Sequence, residues 1–185
     1  MPRSSAGRPC ELKEIHKGDR IVMVGGRIGK DGIHGATFSS LALDEGSPTS
    51  AVQLGDPITQ KRAADFLLEA RDLGLYRAIT DNGAGGLSSS VGELARLSGG
   101  ARMDVALAKT KYPGLKPYEL TVSESQERMT LAVQPSKLGE FLALAERRGV
   151  EASDLGEFND SGTFDVLYEG KTVASLDLEL SLIHI

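Results

Sequence analysis

The stretch Ile21-Val22-Met23-Val24-Gly25-Gly26-Arg27-Ile28-Gly29-Lys30-Asp31-Gly32-Ile33-His34-Gly35 runs four apolar residues straight into five glycines. It reads as a strand over 19–24 that ends in a glycine-rich loop. The pattern recurs where Ala78-Ile79-Thr80-Asp81-Asn82 leads into Gly83-Ala84-Gly85-Gly86. Dense glycine exposes backbone N–H groups and lets the main chain approach a ligand closely. Strands that end this way are where α/β and α+β proteins commonly hold anionic ligands. Two tight turns are the plainer reading. A P-loop is excluded, because Val24 and Asp31 stand where that motif needs Gly and Ser or Thr. A dinucleotide fingerprint fails too, since Ser88 takes the place of its third glycine.

Outward from these strands the chain alternates between helix and strand patterns. Thr59 is expected to cap an amphipathic helix with Ala63, Phe66, Leu67, Ala70 and Leu73 inward and Gly74 just past its end. A second helix is expected over 87–97, closed by Gly99-Gly100, and a third from Pro135-Ser136 to Arg148, capped by Gly149. Its inward residues are Leu138, Phe141, Leu142 and Ala145. Strands are expected over 103–107, 129–133, 164–168 and 172–176, with Glu169-Gly170 as a hairpin turn. Residues 36–58 and 109–117 read as loop. About three helices with a mixed sheet make a layered α+β domain. Residues 1–16 read as a flexible lead-in and 17–178 as the domain. Residues 179–185 read as a tail or the start of a linker. The apolar end from Leu176 to Ile185 fits either a last strand or a chain cut within a larger protein.

Composition narrows the function classes. Of 185 residues, 22 are glycine, about 12% against a typical ~7%, and 40% are hydrophobic, enough for a packed core. The net charge of −5 argues against a nonspecific nucleic-acid binder. No run reaches the roughly 18 apolar residues of a membrane span. The single cysteine, Cys10, can form neither an internal disulfide nor a thiolate zinc site, which points to a cytoplasmic protein.

Few residues invite chemistry. His34 lies alone in the first glycine loop, far from His16 and His184, and no nucleophile elbow is present. Asp81, at a strand end beside glycines, could hold Mg²⁺ next to phosphate oxygens or simply accept loop N–H bonds. Ser123-Glu124-Ser125-Gln126-Glu127-Arg128 sits between two apolar segments. It is either an exposed turn or a donor–acceptor cluster for a hydroxylated, amide-bearing ligand.

Taken together these segments resemble phosphoribosylformylglycinamidine synthase of purine biosynthesis, the small-type synthetase subunit. The run Gly25 to Ser40, Val52-Gln53-Leu54-Gly55-Asp56-Pro57, Asp81 to Leu87, and Pro117-Tyr118-Glu119 leading into Ser123 to Met129 follow the family's motifs in order. The resemblance covers residues 17–178. It implies the first C-terminal-type domain of an architecture shared with aminoimidazole ribonucleotide synthetase, partly ferredoxin-like. The implied reaction is an ATP-dependent carbon–nitrogen ligation. The formyl amide oxygen of formylglycinamide ribonucleotide becomes an iminophosphate, and ammonia from a glutamine amidotransferase subunit displaces the phosphate, with a small accessory subunit as further partner. Residue by residue it implies Gln53 and the triplet Glu124, Ser125 and Gln126 as substrate contacts, and Asp81 as a Mg²⁺ ligand. The loop carrying Arg27, Gly29, Asp31, Gly32 and His34 would lie near the ribonucleotide. The family's catalytic histidine, its ATP-binding Tyr and Lys and two further metal carboxylates belong to a domain that nothing before Gly25 could supply. The chain alone is therefore expected to be inactive. Asn82 and Ile28 depart from the family pattern without removing a ligating group. A non-catalytic nucleotide-binding homologue is the alternative. A ligase or kinase relative acting on selenide, thiamine phosphate or a hydrogenase-maturation intermediate is another.

Overall fold

A computed structural model describes residues 14–33 and 55–179. Its framework is a seven-stranded sheet in the order β2-β4-β1-β5-β3-β6-β7. The strands are β1 Arg20–Gly25, β2 Ala78–Asp81, β3 Ala101–Asp104, β4 Arg128–Val133, β5 Ala152–Phe158, β6 Thr163–Tyr168 and β7 Lys171–Asp177. All neighbours are antiparallel except β3 and β6. Among the described residues the α-helices are α1 Pro57–Asp72, α2 Gly86–Ser98, α3 Pro117–Val122 and α4 Leu138–Arg147.

Half of the sheet repeats a split β-α-β unit. Strands β5-β1-β4-β2, with α1 following β1 and α4 following β4, form the ferredoxin-like portion expected from the sequence. Why Ile21-Val22-Met23-Val24 is continuously apolar is now plain, because β1 is covered on both faces. Val22 and Val24 meet α1 and α4 in a cluster with Phe66, Leu131 and Phe141. Ile21 and Met23 face the other way, toward Leu87, Val91 and Leu94 of α2. The Phe66 and Phe141 rings pack edge to face, with centroids 5.0 Å apart.

Several expectations need correcting. The cap of α1 is Asp56, not Thr59: its carboxylate accepts the N–H groups of Ile58 and Thr59 and the Thr59 hydroxyl, and Pro57 occupies the first turn. Leu73 is half exposed rather than inward, because the helix ends there and Leu75 takes the buried place. At both α1 and α4 the chain closes with the paired bonds of a Schellman end, Leu75 N–H to Ala70 O and Val150 N–H to Ala145 O. The segment 103–107 is a strand only to Asp104. There the side chain accepts the Ala106 N–H and starts a 3₁₀ turn, Val105–Leu107. Pro135–Lys137 is likewise 3₁₀, not α. Helix α3 and strand β5 were not expected at all.

Strands β6 and β7 and the turn at Glu169-Gly170 fit the hairpin reading, both turn residues having positive φ. Every residue of β7 is exposed. The reading of 36–54, and the sequence ends at 1–13 and 180–185, lie outside the described residues.

Candidate functional site

Strands β1, β4 and β2 lie side by side with Val24, Met129 and Asp81 in register. Their loops therefore leave the sheet together: 25–33 after β1, 123–127 before β4, and 82–86 after β2.

The central loop, for which an exposed turn was one of two readings, is buried at Ser123, Glu124, Ser125 and Arg128. Its polar atoms are paired inward. Ser125 Oγ accepts the Gly29 N–H at 3.0 Å, and the Ser123 hydroxyl donates to Gly29 O at 2.8 Å. Glu124 Oε1 accepts the Gly85 N–H at 3.1 Å, joining this loop to that of Asp81. Gln126 is half-buried, and its amide donates to Glu124 O. Glu127, at φ 57, carries the chain in a left-handed turn into β4.

Both glycine clusters press on this loop. A Cβ at Gly25 would lie 1.9 Å from Glu127 O, and one at Gly86 would lie 2.1 Å from Ser123 O; both glycines have positive φ. The glycines thus permit backbone-to-backbone approach. The N–H groups of Gly26, Ile28, Gly29 and Lys30 are not bare ligand donors: they bond Glu127 O, Lys109 O, Ser125 Oγ and the Tyr112 hydroxyl.

Beside the loop lies a cleft of about 390 Å³ between the end of β1, the start of α1 and the turn into β5. Arg27, Arg62, Gln126, Glu127 and Glu151 are among its walls. Arg27 forks onto Glu151 at 2.6–3.0 Å, and that hydrogen-bonded pairing holds the Glu151 carboxyl below its usual range. Of the residues expected at the site, Arg27 and Gln126 line the cleft. Gly29 bonds the Ser123 and Ser125 hydroxyls, Gly32 lies against the Glu124 backbone, and Asp31 pairs with Lys111 at 2.7 Å. Gln53 and His34 lie outside the described residues.

Asp81 is exposed at the end of β2, away from the cleft walls, and its Oδ1 accepts the Gly83 N–H at 2.8 Å. No group of three His, Cys, Asp or Glu among the described residues could hold a metal ion. Missed from the sequence were Arg62 and Glu151, whereas Arg128 was named only as part of the polar 123–128 segment. The Arg27–Glu151 fork joins positions 124 apart, so no local spacing could announce it.

Residues 16–169 match the protein family described as AIR synthase related protein, C-terminal domain. The chain belongs to that family. Among curated relatives, this AIR synthase related domain is 41% identical over 164 residues to a protein from Thermomicrobium roseum. That protein is named "Phosphoribosylformylglycinamidine synthase subunit PurL", and the match covers 88% of the chain and 22% of the relative. A protein of the same name from Pyrococcus abyssi is 40% identical over 167 residues, covering 88% and 24%. The domain thus spans under a quarter of the length of these curated relatives. Among solved structures, "T. maritima PurL complexed with FGAR" superposes with a TM-score of 0.84 at 32% identity, over 91% of this chain and 28% of that one. "T. maritima PurL complexed with ATP" gives 0.78 at 28% identity, over 94% and 28%. "Structure of PurLQS from Thermotoga maritima" gives 0.77 at 29%, over 91% and 26%.

Proposed function

We propose that this domain, over residues 17–178, is the first C-terminal-type domain of a phosphoribosylformylglycinamidine synthase and holds formylglycinamide ribonucleotide for ATP-dependent amidation. The carrying observation is the 123–127 loop, buried at Ser123 to Ser125, which is fixed between two glycine clusters and brings Gln126 to the cleft wall. The T. maritima relative at 32% identity, solved as a complex with FGAR, supports the same ligand here.

In this reading Gln126 supplies amide donors and acceptors to the substrate. Glu124 and Ser125 hold the shape of the loop, since their side chains already bond Gly85 and Gly29. Gln53 is a further substrate contact in this reading. ATP activates the formyl amide oxygen, and ammonia derived from glutamine by an amidotransferase subunit displaces phosphate. The T. maritima structures of PurL with ATP and of PurLQS support a nucleotide co-substrate and companion subunits. Mg²⁺ fits only in part. Asp81 offers one exposed carboxylate, whereas the ion takes six oxygens, so phosphate, water and another domain's carboxylates complete its shell. The isolated chain is accordingly inactive. No helix of the described residues is long and apolar enough to cross a membrane, and we place the enzyme in the cytoplasm.

The test is Gln126→Ala in the full-length synthase. We expect the ribonucleotide KM to rise about tenfold or more while the ATP KM stays within about twofold. An unchanged ribonucleotide KM would remove Gln126 from the substrate.

A further inference from the structure

Arg128 is 3% exposed, and it forms no ion pair with a carboxylate among the described residues. A buried charge left so is costly unless its hydrogen bonds are made. They are made to main chain. Nε donates to Ser125 O at 2.8 Å, Nη2 donates to Ser123 O, and Nη1 rests 3.8 Å from Met23 Sδ. Burial pulls the guanidinium down to about 10, with Asp31 opposing, so it stays charged near neutral pH. Its two acceptors bracket Glu124, and the next turn is the left-handed Glu127.

We propose that Arg128 is a positioning residue. Its planar fork, bridging the carbonyls of Ser123 and Ser125, sets the curvature that sends Glu124 to Gly85 and Gln126 to the cleft. A fork is required because the two carbonyls are met at once by donors in fixed geometry; a lysine ammonium is a single point on a flexible stem. The consequence for substrate rests on the ribonucleotide reading above. The consequence for loop shape does not.

The first test uses this chain and amide hydrogen exchange. In Arg128→Lys, the Gly29 amide, bonded to Ser125, and the Gly85 amide, bonded to Glu124, should exchange about tenfold faster or more. The amides of Val22 and Leu131 in the central strands should stay within about threefold. Unchanged protection at Gly29 and Gly85, or equal acceleration everywhere, overturns the proposal. A second measurement needs no variant. The Arg128 Nε–H of the unaltered protein should exchange as slowly as the Gly29 amide, and fast exchange overturns the proposal even if the lysine variant fails to fold.

In the full-length synthase, Arg128→Lys should raise the ribonucleotide KM about tenfold with the ATP KM within about twofold. Parallel rises in both, or none, would count against it. Gln126→Ala separates the two ideas. If that variant leaves the ribonucleotide KM unchanged, the substrate reading fails while the exchange result for Arg128 stands.

Discussion

Gly25 combines φ 105 with a main-chain neighbour, Glu127 O, where any Cβ would sit. Gly25→Ala must therefore displace either β1 or the loop beneath it, and neither end is a flexible side chain. We expect a loss of roughly 2–4 kcal/mol, read as a lower urea midpoint. Asp81 makes the opposite case. Its carboxylate is exposed and spends one oxygen on Gly83, so Asp81→Asn should leave the urea midpoint nearly unchanged. In the full-length synthase the same change should raise the Mg²⁺ concentration needed for half-maximal turnover by about tenfold or more. An unaltered Mg²⁺ dependence would take Asp81 out of the metal shell.

Helix α1 depends on its first residues. The Thr59 hydroxyl and two backbone N–H groups hold the Asp56 carboxyl below its ordinary range. A lowered folded value means stabilisation that is complete above the unfolded value of about 3.9 and lost as pH falls through the folded one. Asp56→Ala should thus lower the melting temperature at pH 7, and the gap from the unaltered chain should close as the pH is taken below about 4. At this scale legibility varied with local chemistry. Helix α1 showed its period over sixteen residues, whereas α3, with six, is too short for one to emerge. Strand β5 hid because its register shifts where Ile21 pairs Gly156 and Val22 pairs Asp154, which interrupts the alternation of apolar residues. The 123–128 loop is polar, which suits an exposed turn as readily as a ligand-binding cluster. It is buried because Arg128 and the serine hydroxyls satisfy it from within. Its motif was visible in the sequence, but its partners, nearly a hundred positions away at Gly29, were not.

Among the described residues, α1 and α4 on one face and α2 on the other hold the ferredoxin-like strands between separate apolar clusters. Phe66 and Phe141 join α1 to α4 in one of them, both fully buried. Phe66→Ala should cost about 3–5 kcal/mol in urea unfolding. A double-mutant cycle with Phe141→Ala should return a coupling of about 0.5–1.5 kcal/mol. The alternating helix and strand pattern disclosed this class of fold, but no single-strand pattern carries strand order, which is set by pairings distant in sequence. Strand β1 shows what that order entails. It is the earliest strand of the sheet, yet both of its neighbours, β4 and β5, lie more than a hundred residues downstream. During synthesis Ile21-Val22-Met23-Val24 emerges long before the two strands that flank it. Loop closure over such distances slows folding, so the nascent domain cannot pair its central strand until more than a hundred further residues have been made.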